Sequence, residues 1–238
     1  MNPFHTRSAA ALVLLVSLSA CAFGSMPPMP VPEALSTTDA WTVEMRHDRQ
    51  RVRYGFGPYR VANVRWHDIR QRGGVVDAIK GKREYQERYE FALRDSTEGS
   101  AITRVECDSR DRDRGFSIGS MDIELESGLS LNCRVFPDAD SAALAGTLTL
   151  AARNDNVPRG TIERGEVKFE IAGERERGDD DEQLPRAYLV RRGETLVGMV
   201  DRTHPGIIRV APSLPREEQD LVVATLMALL MQRKLIES

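Results

Sequence analysis

The stretch that decides the fold lies close to the C-terminal end of the chain, at residues 213–234, and reads SLPREEQDLVVATLMALLMQRK. It opens with proline and acidic residues and closes with two basic residues, an order of charges that suits a helix dipole. Between them, Leu221–Met231 is apolar on every side except at Thr225. A helix without a polar stripe must be buried all round. Because such a segment spans roughly 16 Å, about half a bilayer, we expect a core helix over about 215–235 rather than a membrane span.

Upstream of this helix, from Trp41 onward, apolar residues recur at every second position. Tyr89, Phe91 and Leu93 alternate with more polar neighbours, and similar segments follow as far as Ile207–Val210. Strict alternation means that one face is buried and the other is solvated, which is typical of antiparallel sheets. The sequence therefore predicts a mostly β fold with one buried C-terminal helix. The expected architecture is an antiparallel barrel, and the second choice is a β-sandwich with the helix packed on it.

The order of elements near the C-terminus resembles that of a known group of barrels. Residues 188–230 comprise the apolar segments YLV, LVGMV and IIRV, separated by turns at Gly193 and Pro205-Gly206, and then the acidic opening of the helix. This pattern resembles the tubby-like barrel of scramblases and LURP-one-related proteins. The resemblance implies a closed sheet with its last helix threaded through the lumen.

The first twenty-one residues, MNPFHTRSAAALVLLVSLSAC, have the three parts of an export signal. A short basic start precedes an apolar core too short for a permanent membrane span, and Leu18-Ser19-Ala20-Cys21 ends the segment. This ending resembles the bacterial lipobox. The resemblance implies cleavage after residue 20 and attachment of diacylglycerol and palmitate to Cys21. An aspartate directly after the cysteine would resemble a signal for retention at the inner membrane, but this position holds Ala22. We therefore expect an outer-membrane anchor with the protein facing the periplasm.

The predicted organisation therefore has three parts: a signal peptide at 1–20, a lipidated and proline-rich tether at 21–38, and one β-rich periplasmic domain at 39–238. Proline favours extended geometry and cannot donate a backbone hydrogen bond, so the tether should be semi-rigid. We expect it to hold the domain clear of the membrane.

Once Cys21 is assigned to lipid, Cys107 and Cys133 remain as a pair. Both lie on the apolar side of alternating segments, and an oxidising periplasm favours their union as a disulfide. Such a bridge would stabilise the fold by roughly 3–4 kcal/mol. Two buried free thiols are the alternative.

Charged segments give two further candidate sites. Arg46, Arg49, Arg51 and Arg53 are a candidate anionic-surface patch, because guanidinium groups match phosphate. The favoured interpretation is instead the outer face of an edge strand, which these charges protect from aggregation. The run from Asp108 to Arg114 alternates aspartate with arginine. The arginines would repel a cation, so we interpret this run as mutually paired loop charges and expect no metal site.

No motif for a cofactor, a zinc site or a nucleophile elbow occurs in the sequence, and no feature indicates nucleic-acid binding. The leading hypothesis is a non-catalytic binding or assembly module of the cell envelope, with the membrane and another envelope component as partners. A binder of acyl chains or anionic lipid is the second hypothesis. An envelope hydrolase using His67 or His204 is the third.

Overall fold

The structure is a computed structural model of the 238-residue chain. It describes residues 28–48, 51–72, 82–95, 101–118, 121–137, 145–153, 157–175, 185–203 and 205–232. The described residues contain one short 3-10 turn (Glu33–Leu35), thirteen strands and one α-helix. In chain order the strands and helix are β1 (Trp41–Thr42), β2 (Glu44–Asp48), β3 (Arg51–Phe56), β4 (Tyr59–Arg72), β5 (Lys82–Asp95), β6 (Ala101–Ile118), β7 (Met121–Phe136), β8 (Gly146–Arg153), β9 (Arg159–Arg164), β10 (Val167–Glu174), β11 (Ala187–Arg192), β12 (Thr195–Asp201), β13 (Ile207–Val210) and α1 (Arg216–Met231).

The strands form one antiparallel sheet in which every strand from β3 onward pairs with the one before it. The sheet closes on itself through the two short strands at its N-terminal edge. Trp41 of β1 lies opposite Ile208 of β13, and Glu44 of β2 lies opposite Gly55 of β3. Since Val43 alone separates β1 from β2, the same stretch joins both edges of the sheet. The result is a nearly closed barrel, as predicted, and not a sandwich.

The period of two in the sequence places one side of each strand inside the barrel. In β8, Leu148 and Leu150 are buried, whereas Thr147 and Thr149 face outward and are exposed. The same alternation places Tyr89, Phe91 and Leu93 of β5 in the interior. Inward side chains from around the sheet thus form a single core.

Helix α1 lies at the centre of that core. Every residue in Leu221–Leu229 is at most 2% exposed, as expected for a helix without a polar stripe. The one polar side chain within Leu221–Leu229, that of Thr225, is satisfied because its hydroxyl donates to the carbonyl of Leu221 at 2.9 Å. The helix contacts strands on widely separated parts of the sheet, including β6, β7, β11, β12 and β13. The prediction that the apolar stretch is buried all round is therefore confirmed for Leu221–Leu229, and Leu230 is partly buried.

The two openings of the barrel are distinguished by the helix. At the upper end α1 begins, and Tyr59 donates to the Asp220 carboxylate at 2.8 Å. At the lower end α1 stops, next to Arg202 in the connection between β12 and β13, and Arg202 donates to the carbonyl of Gln232 at 2.6 Å.

Candidate functional site

The structure unites the two cysteines that the sequence paired. Cys107 of β6 lies directly opposite Cys133 of β7, and their sulfur atoms are 2.08 Å apart. Both side chains face the core and are at most 5% exposed. The bridge closes a segment of 26 residues, for which loop entropy gives about 3.5 kcal/mol of stabilisation. The predicted disulfide is therefore present in the fold.

The other predicted site residues are placed less completely. Arg46 and Arg53 lie opposite each other in the β2–β3 hairpin, and Arg51 begins β3. Cys21, Arg49 and His204 lie outside the described residues. Lipidation at Cys21 and the anionic-surface patch thus stay predictions.

On the outside of the barrel, the strands joined by the disulfide carry a groove of about 460 Å³. We call this the outer groove. It crosses β4 to β8 and is lined by alternating basic, acidic and neutral polar side chains, among them His67, Arg88, Glu106, Asp108, Asn132, Arg134 and Thr147.

Asp108 organises one part of the outer groove. Its carboxylate accepts hydrogen bonds from Arg88 at 2.8 Å, from Gln86 at 2.7 Å and from Arg110 at 3.1 Å. Partial burial acts to raise the pKa of Asp108, but these three donors together outweigh it and hold the pKa below its usual value. Asp108 therefore stays ionised and keeps the neighbouring arginines in place.

Glu106 organises a second part in the same way. Its carboxylate pairs with Arg134 at 2.7 Å and with Arg104 at 3.4 Å. The guanidinium groups of both arginines also lie over the ring of Phe136, at 5.5 Å and 4.6 Å from its centroid. Single exposed ion pairs add little stability, so this network matters more for fixing the positions of charges than for holding the fold together.

The run from Asp108 to Arg114 is not a loop, as the sequence suggested, but part of the eighteen-residue strand β6. Its charges pair with each other, as the contact between Asp108 and Arg110 shows. They also pair across the ladder with β5, through Arg88. The segment forms a strand despite its loop-like composition, because β5 and β7 supply hydrogen-bonding partners on both of its sides. Among the described residues, no group of three histidine, cysteine or acidic side chains is arranged to hold a metal ion.

A second polar cluster lies inside the barrel, at the lower end, and sequence reasoning missed it. The hydroxyl of Tyr89 donates to the carbonyl of Ala228 at 2.7 Å, and that of Tyr188 donates to the side-chain oxygen of Gln232 at 3.2 Å. The Gln232 amide in turn donates to Ser109 at 3.3 Å. The Ala228 carbonyl also accepts from the backbone amide of Gln232 at 3.1 Å, so Tyr89 adds a second donor there, and Arg202 donates to the carbonyl of Gln232 itself. We call this cluster the helix clasp.

Burial raises the pKa of Tyr89 well above its usual value; the negative charge of Glu87 acts in the same direction, while Arg202 opposes it. Burial also raises the pKa of Tyr188. Both hydroxyls therefore remain protonated donors, which is the form that the helix clasp requires. The available signal in the sequence was Ser109, a polar residue at an inward position after Val105 and Cys107.

Two residues bear on the hydrolase hypothesis within the described part of the chain, His67 and Asp201. His67 is exposed at the edge of the outer groove. Asp201 is buried, and its carboxylate accepts from the backbone amides of Met29 and Thr203, at 2.8 and 2.9 Å. This carboxylate therefore fixes local backbone.

Comparison of the chain with protein-family models, with curated proteins and with solved structures finds no match in any of the three. In the part of the chain that the structure describes, no helix is both long and apolar enough to cross a membrane.

Proposed function

We propose that this protein is a lipid-anchored, non-catalytic binding module of the bacterial cell envelope, facing the periplasm from the outer membrane. The observation that carries the proposal is the occupied lumen. Leu221–Leu229 of α1 fill the barrel, so the surface available to a partner is the outside of the sheet. There the outer groove presents charges whose positions are fixed by ion pairs.

The fold supports a relationship to tubby-like barrels at the level of architecture. An antiparallel sheet that nearly closes around one C-terminal helix is what the resemblance of residues 188–230 implies. In our proposal the chain is a distant relative of that group to which an export signal and a disulfide have been added.

The outer groove favours a protein partner over a uniformly anionic surface. Acidic and basic side chains alternate within it, and both signs are already paired, as with Asp108 and Arg88. Mixed charge of this kind gives specificity for a complementary pattern rather than general attraction to anions. A container for acyl chains receives less support, because apolar side chains of α1 occupy the lumen along Leu221–Leu229.

Photo-crosslinking in cells tests the binding role. A photoreactive amino acid replaces Asn132 or Thr147, two exposed residues of the outer groove, and in a matched control replaces Glu170, an exposed residue of β10. We expect a discrete adduct from the first two positions and none from the third. Equal adducts at all three, or none in the outer groove, would contradict the proposal.

Labelling with radioactive palmitate tests the anchor separately. Cys21→Ser should abolish incorporation and leave unprocessed precursor, because the thiol is the acceptor of the lipid. Undiminished labelling of the variant would refute the lipoprotein assignment.

For the hydrolase hypothesis, turnover of ester or peptidoglycan substrates that is lost in His67→Ala would replace binding as the assigned role.

A further inference from the structure

The segment that precedes the first strand is bound to the barrel. From Met29 to Thr38 it lies on the outside of the barrel, and we call this segment the strap. Leu35, in the short 3-10 turn, has no exposed surface. It packs into a cluster separate from the main core, made by outward side chains of β11 and β12, namely Ala187, Leu189, Leu196 and Met199.

Polar contacts fix both ends of the strap. At its start, the amide of Met29 donates to the carboxylate of Asp201 at 2.8 Å. At its end, the guanidinium of Arg209 donates to the carbonyl of Thr38 at 2.6 Å. Asp201 is itself held by Thr203, whose amide and hydroxyl both donate to it. The strap is therefore attached to the wall at three places: Met29, Leu35 and Thr38.

An apolar patch on the outside of a strand pair needs a cover in water, and the strap supplies it. Leu189, Leu196 and Met199 are each at most 7% exposed, although they belong to the outer cluster. Ala34, the neighbour of Leu35, is exposed, so the contact is specific to one side of the turn.

Docking of the strap shortens the length of chain between Cys21 and the first residue that the barrel holds. Met29 is eight residues from Cys21, and a fully extended chain of that length reaches at most about 29 Å. If the strap were free, the first fixed residue would be Trp41, twenty residues from Cys21, and the reach would grow to about 70 Å.

The attachment point also selects one end of the barrel. Asp201 is the last residue of β12 and lies at the lower end, beside Arg202 and the end of α1. Thr195, at the upper end of β12, is six residues away, a distance of roughly 20 Å. Met29, the first attachment point of the strap, thus lies at the lower end of the barrel.

We propose that the strap orients the barrel, holding its lower end towards the bilayer and its upper end towards the periplasm. The inference rests on the proposed lipid anchor at Cys21. Its partner is the surface of the membrane itself, and the outer groove on β4 to β8 then faces sideways, open to a protein in the periplasm.

Two measurements on the full-length, lipidated protein test this inference. The first is hydrogen exchange at the Met29 amide, which the bond to Asp201 should protect. Leu35→Ser removes the apolar contact and should accelerate exchange at Met29 at least tenfold. The matched control, Ala34→Ser, changes an exposed neighbour and should leave the rate unchanged.

The second measurement is energy transfer in neutral phosphatidylcholine vesicles that carry a headgroup acceptor dye. A donor dye is introduced genetically at Pro205, in the lower β12–β13 connection, or at Glu194, in the upper β11–β12 turn. We expect stronger transfer from Pro205 than from Glu194, and we expect Leu35→Ser to abolish the difference while Ala34→Ser preserves it.

The possible failures are distinguishable. An unprotected Met29 amide in the unaltered protein would overturn the docked strap, whatever the anchor. Protection together with equal transfer from Pro205 and Glu194 would overturn the orientation alone. Protein that does not associate with vesicles would overturn the lipid anchor and, with it, the orientation that depends on it.

Discussion

Replacing Gly198 by alanine tests how tightly the barrel holds its helix. Gly198 lies in β12 and faces α1. A methyl group there would lie 2.8 Å from Cγ1 of Val222 and 3.2 Å from Cδ1 of Leu226. Carbon atoms in contact normally stand about 3.5–4.0 Å apart, so either the strand or the helix must move. Valine, being β-branched, cannot turn its methyl group away at low cost.

Overpacking of this kind costs about 1–3 kcal/mol, and the loss of glycine from the unfolded chain returns about 0.4–1 kcal/mol. We therefore expect Gly198→Ala to lower the free energy of unfolding by about 1–2 kcal/mol, read from urea titration monitored by circular dichroism. In Gly55→Ala, the matched control, the nearest atom to the new methyl is the Tyr59 carbonyl oxygen at 3.9 Å. That variant should be neutral or slightly more stable.

A double variant identifies the cause. Val222→Ala removes the atom that the new methyl would meet, so Gly198→Ala should cost less in that background than in the unaltered protein. If Gly198→Ala behaves like Gly55→Ala, or if Val222→Ala does not reduce its cost, then α1 does not contact β12 as described.

Three further predictions concern the interior. Joint replacement of Cys107 and Cys133 by serine should lower the free energy of unfolding by about 3.5 kcal/mol in urea titration under oxidising conditions; an unchanged midpoint would show that the bridge adds nothing. Tyr89→Phe should cost about 1 kcal/mol in the same assay, because it removes one buried donor to α1; no loss would show that the helix clasp does not hold the helix. Leu226→Asp should prevent the protein from accumulating in cells, since a buried carboxylate without a partner removes much of the typical stability of a domain; normal levels on immunoblots would refute full burial.

The sequence predicted the helix well because its signal is local and strong. Eleven residues with one polar side chain admit few alternatives in a chain of this size, and α1 at Arg216–Met231 falls inside the predicted 215–235. The alternating strands were recognisable for the same reason, since each depends on neighbours two residues apart.

Closure of the barrel was harder to predict, because the contacts that produce it join the ends of the domain. Neither local sequence, around Trp41 or around Ile208, indicates that these two residues pair. The architecture therefore stayed open between a barrel and a sandwich until the register was known. The strap is similar, because the docking of Leu35 depends on an apolar surface more than 150 residues away in the chain.

Sheet pairing overrides local turn preferences within the longest strands. Ser127-Gly128 has the composition of a turn, yet Gly128 lies inside β7, opposite Arg112 on one side and Arg153 on the other. Hydrogen bonding to two neighbouring strands outweighed the local preference. The helix clasp could not be predicted for a different reason. Tyr89 lies in β5, Tyr188 in β11 and Gln232 directly after α1, and no spacing in the sequence relates them.

Hydrogen exchange across α1 tests the central claim that the barrel encloses its helix. If Leu221–Leu229 are surrounded by the sheet, their amides can exchange only when the whole domain unfolds. The free energies of exchange for Leu221–Leu229 should then equal the free energy of global unfolding measured in urea. Exchange of Leu221–Leu229 at clearly lower free energy, while Phe91 and Leu148 in the wall remain protected, would show that α1 opens on its own and would contradict the account.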